Sequence, residues 1–254
     1  MNLKQKIFII IAACLMLLLS CGPAKAGSVV SFATQDFYPF SYKKDGKIVG
    51  PGAEIIRTTC KNINTDCTLC IQPWRRSVAM AQKGLTHAIF MVGWNKERTE
   101  WLTFSPAIIK TEYGFFECSD VPLTYTGPKS LIGKTIGVYG PSNTSHQLEQ
   151  LAKEAGGHVR ITLTPDALTQ FKRLSRCRVD AVYSNREVGQ ALIREIKAKN
   201  IKYNSQKKLN YYIAFPKKYV STGFVKKFSR EIKRMKESGE LKKILDKYHM
   251  QMAD

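Results

Sequence analysis

Negative charge is scarce in this chain. Asp and Glu together number 20 in 254 residues that carry 40 Lys and Arg, a formal net charge of +20. Catalytic signatures are scarce as well. There is no G-x-S-x-G and no H-E-x-x-H, which removes the hydrolase nucleophile elbow and the zincin helix. The four histidines, His87, His146, His158 and His249, show no metal-ligand spacing. Proline and glycine, at 10 and 17, are too few for a collagen-like or low-complexity chain. Beyond residue 26 no apolar run is long enough to span a bilayer. The stretch Gly127 to Thr135 imitates a phosphate loop but has five residues between its glycines. It also leads into a strand rather than out of one, so the helix N-terminus that would cradle a phosphate is missing.

Apolar material is ample. Hydrophobic residues make up 44% and aromatics 10%, enough for one large domain or two modest ones and too much for a disordered chain. Lys4 and Lys6 precede the uncharged run Ile7 to Leu19, the layout of an export signal over residues 1–26. Ala24-Lys25-Ala26 has the small-x-small pattern of ordinary cleavage, whereas Leu18-Leu19-Ser20-Cys21 resembles a lipobox that would acylate Cys21. Both outcomes place the protein outside the cytoplasm, in the periplasm. Removing the leader takes three lysines and lowers the charge to +17, of which +11 falls in residues 194–254. Phe224, Phe228, Ile232 and Met235, then Leu241, Ile244, Leu245 and Tyr248, form an apolar stripe there, with the lysines on the other face. The excess therefore reads as the solvated side of docked helices, and no nucleic-acid partner is expected.

Five cysteines follow the leader. Cys60 and Cys67 are disulfide candidates in an exported protein. Cys60, Cys67 and Cys70 are alternatively three thiolate ligands, but they lack the paired C-x-x-C spacing and a fourth ligand. Cys118 and Cys177 have no assignment, and the odd count leaves at least one thiol over.

Short apolar runs alternate with helical patterns along the chain. Strands are expected at 29–33, 68–72 and 88–92 with helices at 53–61 and 74–82. A second series has strands at 135–139, 159–163 and 179–183 and helices at 144–155, 165–174 and 185–199. Continuous apolar runs such as Ala88–Val92 point to parallel sheets covered on both faces. Two such α/β units suggest two lobes, each with its own sheet. Ligands of parallel α/β sheets sit at the carboxyl ends of the strands. Reading outward from those ends collects Phe37, Tyr38 and Phe40, then Trp74 and Arg75, then Gly93, Trp94 and Arg98. The second unit adds Ser142, Asn143 and Thr144, then Ser184 and Asn185. Aromatic walls, a guanidinium and a polar helix start suit a small anion, because arginine presents a fork to a carboxylate and free helix N–H groups add donors. Each residue has a plainer reading. Trp74 would cover a lobe core, Arg98 would pair with Glu97 or Glu100, and Asn143 and Thr144 would cap their helix.

The order of several segments resembles the family 3 extracellular solute-binding proteins, receptors of polar amino-acid ABC importers. The segments are Tyr38-Pro39-Phe40-Ser41-Tyr42, Asp45 to Gly50, Lys96-Glu97-Arg98 and Phe104-Ser105-Pro106. Lys134 to Val138, Val179-Asp180-Ala181-Val182 and Ser238 to Leu241 continue the series. The resemblance spans nearly all of residues 28–250. It implies an α/β, two-lobed periplasmic-binding-protein-like fold, two sheets joined by crossovers near Lys110–Tyr113 and Lys207–Tyr211. Lobe 1 would be 28–110 with 212–254 returning to it, and lobe 2 would be 114–207. It further implies that Arg98 grips a ligand carboxylate, that Trp74 or Phe37 forms a wall, that Asn143 contacts the ligand from lobe 2, and that Cys60 pairs with Cys67. The implied protein is a monomer without cofactor or metal that hands a small carboxylate-bearing solute to a permease.

This chain departs from the family pattern at two places. Asn185 stands where amino-acid receptors usually have an acidic residue for the α-ammonium, and Gly93 replaces a serine or threonine. Asp36 and Glu187 are the acids that would compensate. The Pro73-Trp74-Arg75-Arg76 segment resembles a divergent branch. Two rival functions share the scaffold: a dehydratase-like enzyme with Glu187 as acid, and a sensory domain that signals to a partner.

Overall fold

The computed structural model describes residues 29–254. The expected export signal and Cys21 lie outside the described residues. The chain opens with β1 (Val30–Thr34), a small hairpin of β2 (Tyr42–Lys44) and β3 (Lys47–Val49), and α1 (Pro51–Asn62). Pro51 suits the first turn of α1, where its missing N–H would have no partner, and Glu54 lies near the positive end of the helix dipole. Next come β4 (Cys67–Ile71), α2 (Trp74–Gln82), β5 (Ala88–Gly93), the single-turn α3 (Lys96–Trp101) and β6 (Leu102–Phe104). In the sheet β1 lies between β4 and β5, parallel to both. Every residue of β5 is buried, as a central strand with helices on both faces requires.

The second unit repeats this layout. It contains β8 (Thr135–Tyr139), α4 (Asn143–Ala155), β9 (Arg160–Thr164), α5 (Ala167–Leu174), β10 (Ala181–Asn185) and α6 (Arg186–Glu195). Here β8 lies between β9 and β10, again parallel to both. The parallel groups face each other across two long antiparallel strands, β7 (Ile109–Cys118) and β11 (Ile201–Pro216). These run from one lobe into the other, and the hydrogen-bonded order is β4-β1-β5-β11-β7-β10-β8-β9. The two sheets are thus continuous through their connections. Lys110 to Tyr113 lies in β7 with Lys207 to Tyr211 opposite in β11. The close approach of these strands needs Gly114, because a Cβ there would meet the Asn204 carbonyl oxygen at 2.2 Å.

The chain then returns to the first lobe as α7 (Thr222–Glu237), α8 (Glu240–Asp246) and the short β12 (Gln251–Met252), which pairs with β7. Val225, Phe228, Ile232 and Met235 of α7 and Leu241, Ile244 and Leu245 of α8 are buried. Phe228 packs against Phe32 of β1 and Phe215 of β11 at ring-centroid distances of 5.6 and 5.3 Å. Within α8 Lys242 pairs with Asp246 one turn on, a contact of half-exposed charges that adds little stability.

Cysteine chemistry divides between the lobes. Cys60 is bonded to Cys67, joining α1 to β4, which removes two thiolates from the alternative metal set. Cys118, at the end of β7, is bonded to Cys177, just before β10. Cys70 is the free thiol among the described residues, and burial lifts it above its ordinary value against the pull of Arg76.

The bridges close loops of very different length, with sequence separations of 7 and 59. Loop-closure entropy then gives roughly 2.5 kcal/mol for the short loop and roughly 4 kcal/mol for the long one. We expect the Cys118→Ser/Cys177→Ser variant to lose more stability than Cys60→Ser/Cys67→Ser in equilibrium denaturation without reductant. The reverse order would show that strain or residual denatured structure outweighs loop length.

Candidate functional site

Four strand ends converge between the lobes. Thr34 of β1 leads into Gln35, Asp36, Phe37 and Tyr38, and β5 ends at Gly93. From the other lobe β8 ends at Tyr139 and β10 at Asn185. Two cavities occupy the gap. A small one of about 40 Å³ has Trp74, Arg98, Tyr113 and Asn143 in its wall, and a larger one of about 540 Å³ has Asp36, Tyr38, Asp166 and Tyr183. Gln35, Phe37, Tyr139 and Thr144 line both, so the two are halves of one cleft.

Arg98 reaches the small cavity through local structure. Asn95 caps α3, its side-chain oxygen accepting from the Arg98 N–H at 2.8 Å. That single turn aims the guanidinium back toward β5, where Nη1 donates to the Gly93 carbonyl at 2.7 Å. The guanidinium carbon lies 5.4 Å from the centre of the Trp74 ring, within cation–π range. Among the described residues Arg98 makes no salt bridge; the nine ion pairs lie elsewhere. Burial pushes this guanidinium below its ordinary value, against the opposing pull of Tyr113, Glu97 and Tyr211. A largely desolvated cation with one carbonyl and one ring for company is ready for an anion.

The backbone of β5 is shaped for this. Met91 has φ +58°, and the register with β11 passes from Val92–Tyr212 to Phe90–Ile213, leaving Met91 unpaired. This is a bulge with its extra residue in the left-handed region, a conformation costing a methionine about 1–2 kcal/mol. Such bulges re-aim the residues that follow, here Gly93 and the turn into α3. Met91 itself lines the small cavity. Neither residue type nor periodicity signals it.

The second lobe meets the first directly. Ser142 caps α4 in a reciprocal box with Ser145, leaving Asn143 as the first helical residue. The Asn143 side-chain oxygen accepts from Asn95 Nδ2 at 3.1 Å. A Cβ on Gly93 would come within 2.9 Å of Asn143 Nδ2, so the glycine makes room for this approach. Across the cleft floor the Tyr139 hydroxyl donates to Gln35 Oε1 at 2.9 Å.

Most of the strand-end residues singled out in the sequence come together here. Phe37, Trp74, Gly93, Arg98, Ser142, Asn143 and Thr144 line the small cavity, and Phe37, Tyr38, Thr144, Ser184 and Asn185 line the larger. Three do not: Phe40 is fully buried in the core, and Arg75 and Trp94 turn outward. Arg75 follows Trp74 on α2, about 100° further round the helix, and is exposed. Trp94 is 55% exposed beside the inward Gly93. Neither lines a cavity.

Asn185 is reassigned by its bonds. Its Oδ1 accepts from the Val188 N–H at 3.2 Å as the cap of α6, and Nδ2 donates to Thr111 Oγ1 at 2.6 Å and the Tyr211 hydroxyl at 3.2 Å. Both N–H donors of the amide are committed inside the protein, and its oxygen already accepts the bond that caps α6. Glu187 is also tied up. It accepts from Thr111 Oγ1 at 2.6 Å and from Arg186, whose other side reaches Glu112 at 2.9 Å. Despite the desolvation that works against its charge, Arg186 is raised above its ordinary value by these carboxylates. Glu187 lines neither cavity, and its position does not support the role of a cleft acid. Asp36, by contrast, lies in the larger cavity, where burial lifts its carboxyl above the ordinary value against the pull of Lys43.

Sequence reading missed Gln35, Tyr113, Tyr139 and Tyr211. Tyr139 was within reach, since it is the last residue of its expected strand and the collection began one step beyond. The tyrosines of β7 and β11 carried no signal, because connections were expected where the structure has strands.

The chain matches the profile of bacterial extracellular solute-binding proteins, family 3, over residues 29–251. It is 24% identical to the arginine-binding periplasmic protein of Mannheimia haemolytica, covering 87% of this chain and 94% of that one. Among solved structures, it is similar to a chain from the work on glutathione import via GshT and the cystine ABC importer of Streptococcus mutans. The TM-score is 0.80 at 20% identity, covering 90% of this chain and 98% of that one. A histidine kinase sensor domain with similarity to periplasmic binding proteins gives 0.79 at 17% identity, covering 89% and 97%.

The Asn185→Ala variant removes a helix cap and leaves the Thr111 and Tyr211 hydroxyls short of a donor. We expect it to lose roughly 1–3 kcal/mol in chemical denaturation. A change within roughly 0.5 kcal/mol, the range of an uninvolved surface substitution, would show that the amide is not engaged in this way.

Proposed function

The chain belongs to the bacterial extracellular solute-binding proteins of family 3, and on that premise we propose that it captures a small carboxylate-bearing solute between its lobes for ABC-type import. Solute binding follows from the family. The carboxylate and the delivery to an inner-membrane permease are our reading. The observation that carries it is the Arg98 guanidinium, desolvated, unpaired with any carboxylate and turned into the cleft.

The residues divide the work as follows. Arg98 clamps the carboxylate through its remaining N–H donors, while its bond to Gly93 and the Trp74 ring hold the fork in place. Thr144 and the start of α4 contribute donors from the opposite lobe, where the positive end of the helix dipole favours an anion. Phe37, Tyr38 and Tyr139 bury the body of the solute. Closure removes water from the ion pair and strengthens it, so ligand binding and lobe closure reinforce each other. The lobes hinge, in this reading, where Lys110–Tyr113 and Lys207–Tyr211 pass side by side. The receptor acts as a periplasmic monomer, exported by residues 1–26 and freed or acylated at Cys21.

One observation favours a second reading. The likeness to a histidine kinase sensor domain shows that the same fold serves in sensing, in which case the closed form would be read by a signalling partner. The capture step is common to both.

Native mass spectrometry of protein purified without added solute identifies any co-purified ligand, and a carboxylate is expected. A panel of carboxylates screened by thermal shift should then raise the melting temperature of the native protein, with the Arg98→Ala variant giving no shift. An unchanged shift in that variant removes Arg98 from the site. Uptake of the bound solute that is unchanged in cells lacking this protein would favour the sensory reading.

A further inference from the structure

The cleft keeps its charges apart. Around the Arg98 guanidinium the wall of the small cavity contains no acidic residue, whereas the larger cavity contains Asp36 and Asp166 and no lysine or arginine. The groups at the junction cannot change this. Both Asn185 N–H donors are spent on Thr111 and Tyr211 and its neutral oxygen caps Val188, and the Glu187 carboxylate is held by Thr111 and Arg186 outside both cavities. A positive group on the carbon next to a bound carboxylate would therefore lie beside the guanidinium in the smaller cavity, whose wall holds no acid. Like charges at such range repel strongly where water is excluded.

A positive group further along the solute meets the opposite conditions. The larger cavity of about 540 Å³ offers the Asp36 carboxylate, which has Lys43 on its other side, and the rings of Phe37, Tyr38, Tyr139 and Tyr183, the acid-and-aromatic surroundings that favour cations. Asp166 caps α5; the Thr169 hydroxyl at 2.6 Å and the Leu168 and Thr169 N–H groups at 3.0 Å each donate to it and hold its carboxyl below the ordinary value. We propose that the solute is an acid whose cation is remote from its carboxylate, an ω-ammonium or ω-guanidinium carboxylate. Its acid end would lie on Arg98 and its cationic end in the aromatic chamber beside Asp36 and Asp166. This deepens the Arg98 reading and rests on it.

Four probes that differ by one group each separate the two claims by isothermal titration, using protein stripped of co-purified solute. They are 5-guanidinopentanoate, L-arginine (the same acid with an α-ammonium), pentanoate (no guanidinium) and butylguanidine (no carboxylate). The proposal expects 5-guanidinopentanoate to bind at least as tightly as L-arginine and at least tenfold more tightly than the other two. It also expects Asp36→Asn/Asp166→Asn to weaken 5-guanidinopentanoate at least fivefold and leave pentanoate unchanged; the asparagine oxygen keeps one of the two backbone bonds that cap α5. Tenfold preference for L-arginine over 5-guanidinopentanoate overturns the proposal and leaves the Arg98 reading standing, as does pentanoate binding equally well. Butylguanidine binding as tightly as 5-guanidinopentanoate overturns the Arg98 reading beneath it. Absence of binding by all four, and by 4-aminobutyrate and 6-aminohexanoate added for chain length and cation type, overturns the proposal.

Discussion

A guanidinium without a carboxylate partner, drawn out of water between two lobes, is the interaction on which the candidate site turns. Removing a full charge from solvent costs several kcal/mol unless something compensates. Here one carbonyl and one indole ring supply part of that compensation, and the remaining donors face a cavity. The surrounding structure serves to hold this group in place. The Asn95 cap turns the chain, the Met91 bulge sets the end of β5, and Gly93 leaves space for Asn143 to close over it. Strain stored at Met91 is tolerable because β5 is buried between β1 and β11 and has no other place to go.

The second constraint lies in the two central strands. β7 and β11 are the path by which the lobes are joined, and one polar cluster is threaded across them. Thr111 and Glu112 of β7, Ser205 and Tyr211 of β11, and Asn185, Arg186 and Glu187 at the start of α6 bond to one another. Every carboxylate in this group has a cation or hydroxyl partner, which is the condition for burying such groups without large loss. The cluster ties the second-lobe helix to the shared strands, so movement of the lobe is referred to these strands. It also engages Asn185, which strand-end reasoning offers to a ligand, and Glu187, the acid expected to compensate for it.

Much of the fold could be read from local pattern. The strand–helix alternation, the buried run Ala88–Val92 and the apolar stripe of α7 and α8 follow from periodicity, because each element buries a face that its own sequence marks. The helix expected to reach 199 stops at Glu195, and the one expected from 165 starts at Ala167 behind its Asp166 cap. β7 and β11 were not legible as strands. Their sequences carry Lys110, Glu112 and Glu117, and Lys202, Lys207 and Lys208, which mask the alternation. Glu112 and Glu117 are nonetheless buried, Glu112 bonded to the distant Arg186 and Ser205 and Glu117 to the backbone N–H groups of Leu123 and Thr124 in the loop that follows. Helix-borne picks divided by direction: Trp74 faces inward and its neighbour Arg75 outward, a distinction made by the docking of α2 and not by residue type.

The sequence by itself determined the two α/β units, the strand ends where a ligand would sit, the presence of Arg98 among them and the placing of the lysine excess on the outer helix faces. These depend on short-range rules: period, caps and the polarity of strand ends. Only the tertiary structure decided which of the neighbours Trp74 and Arg75 faces the cleft, that Cys118 meets Cys177 across 59 positions, and that Asn185 caps α6. It also decided that the acids of the cleft line the larger cavity and not the one that holds its guanidinium. Each of these is a meeting of groups distant in the chain, and such meetings depend on how the lobes pack, which no local pattern encodes.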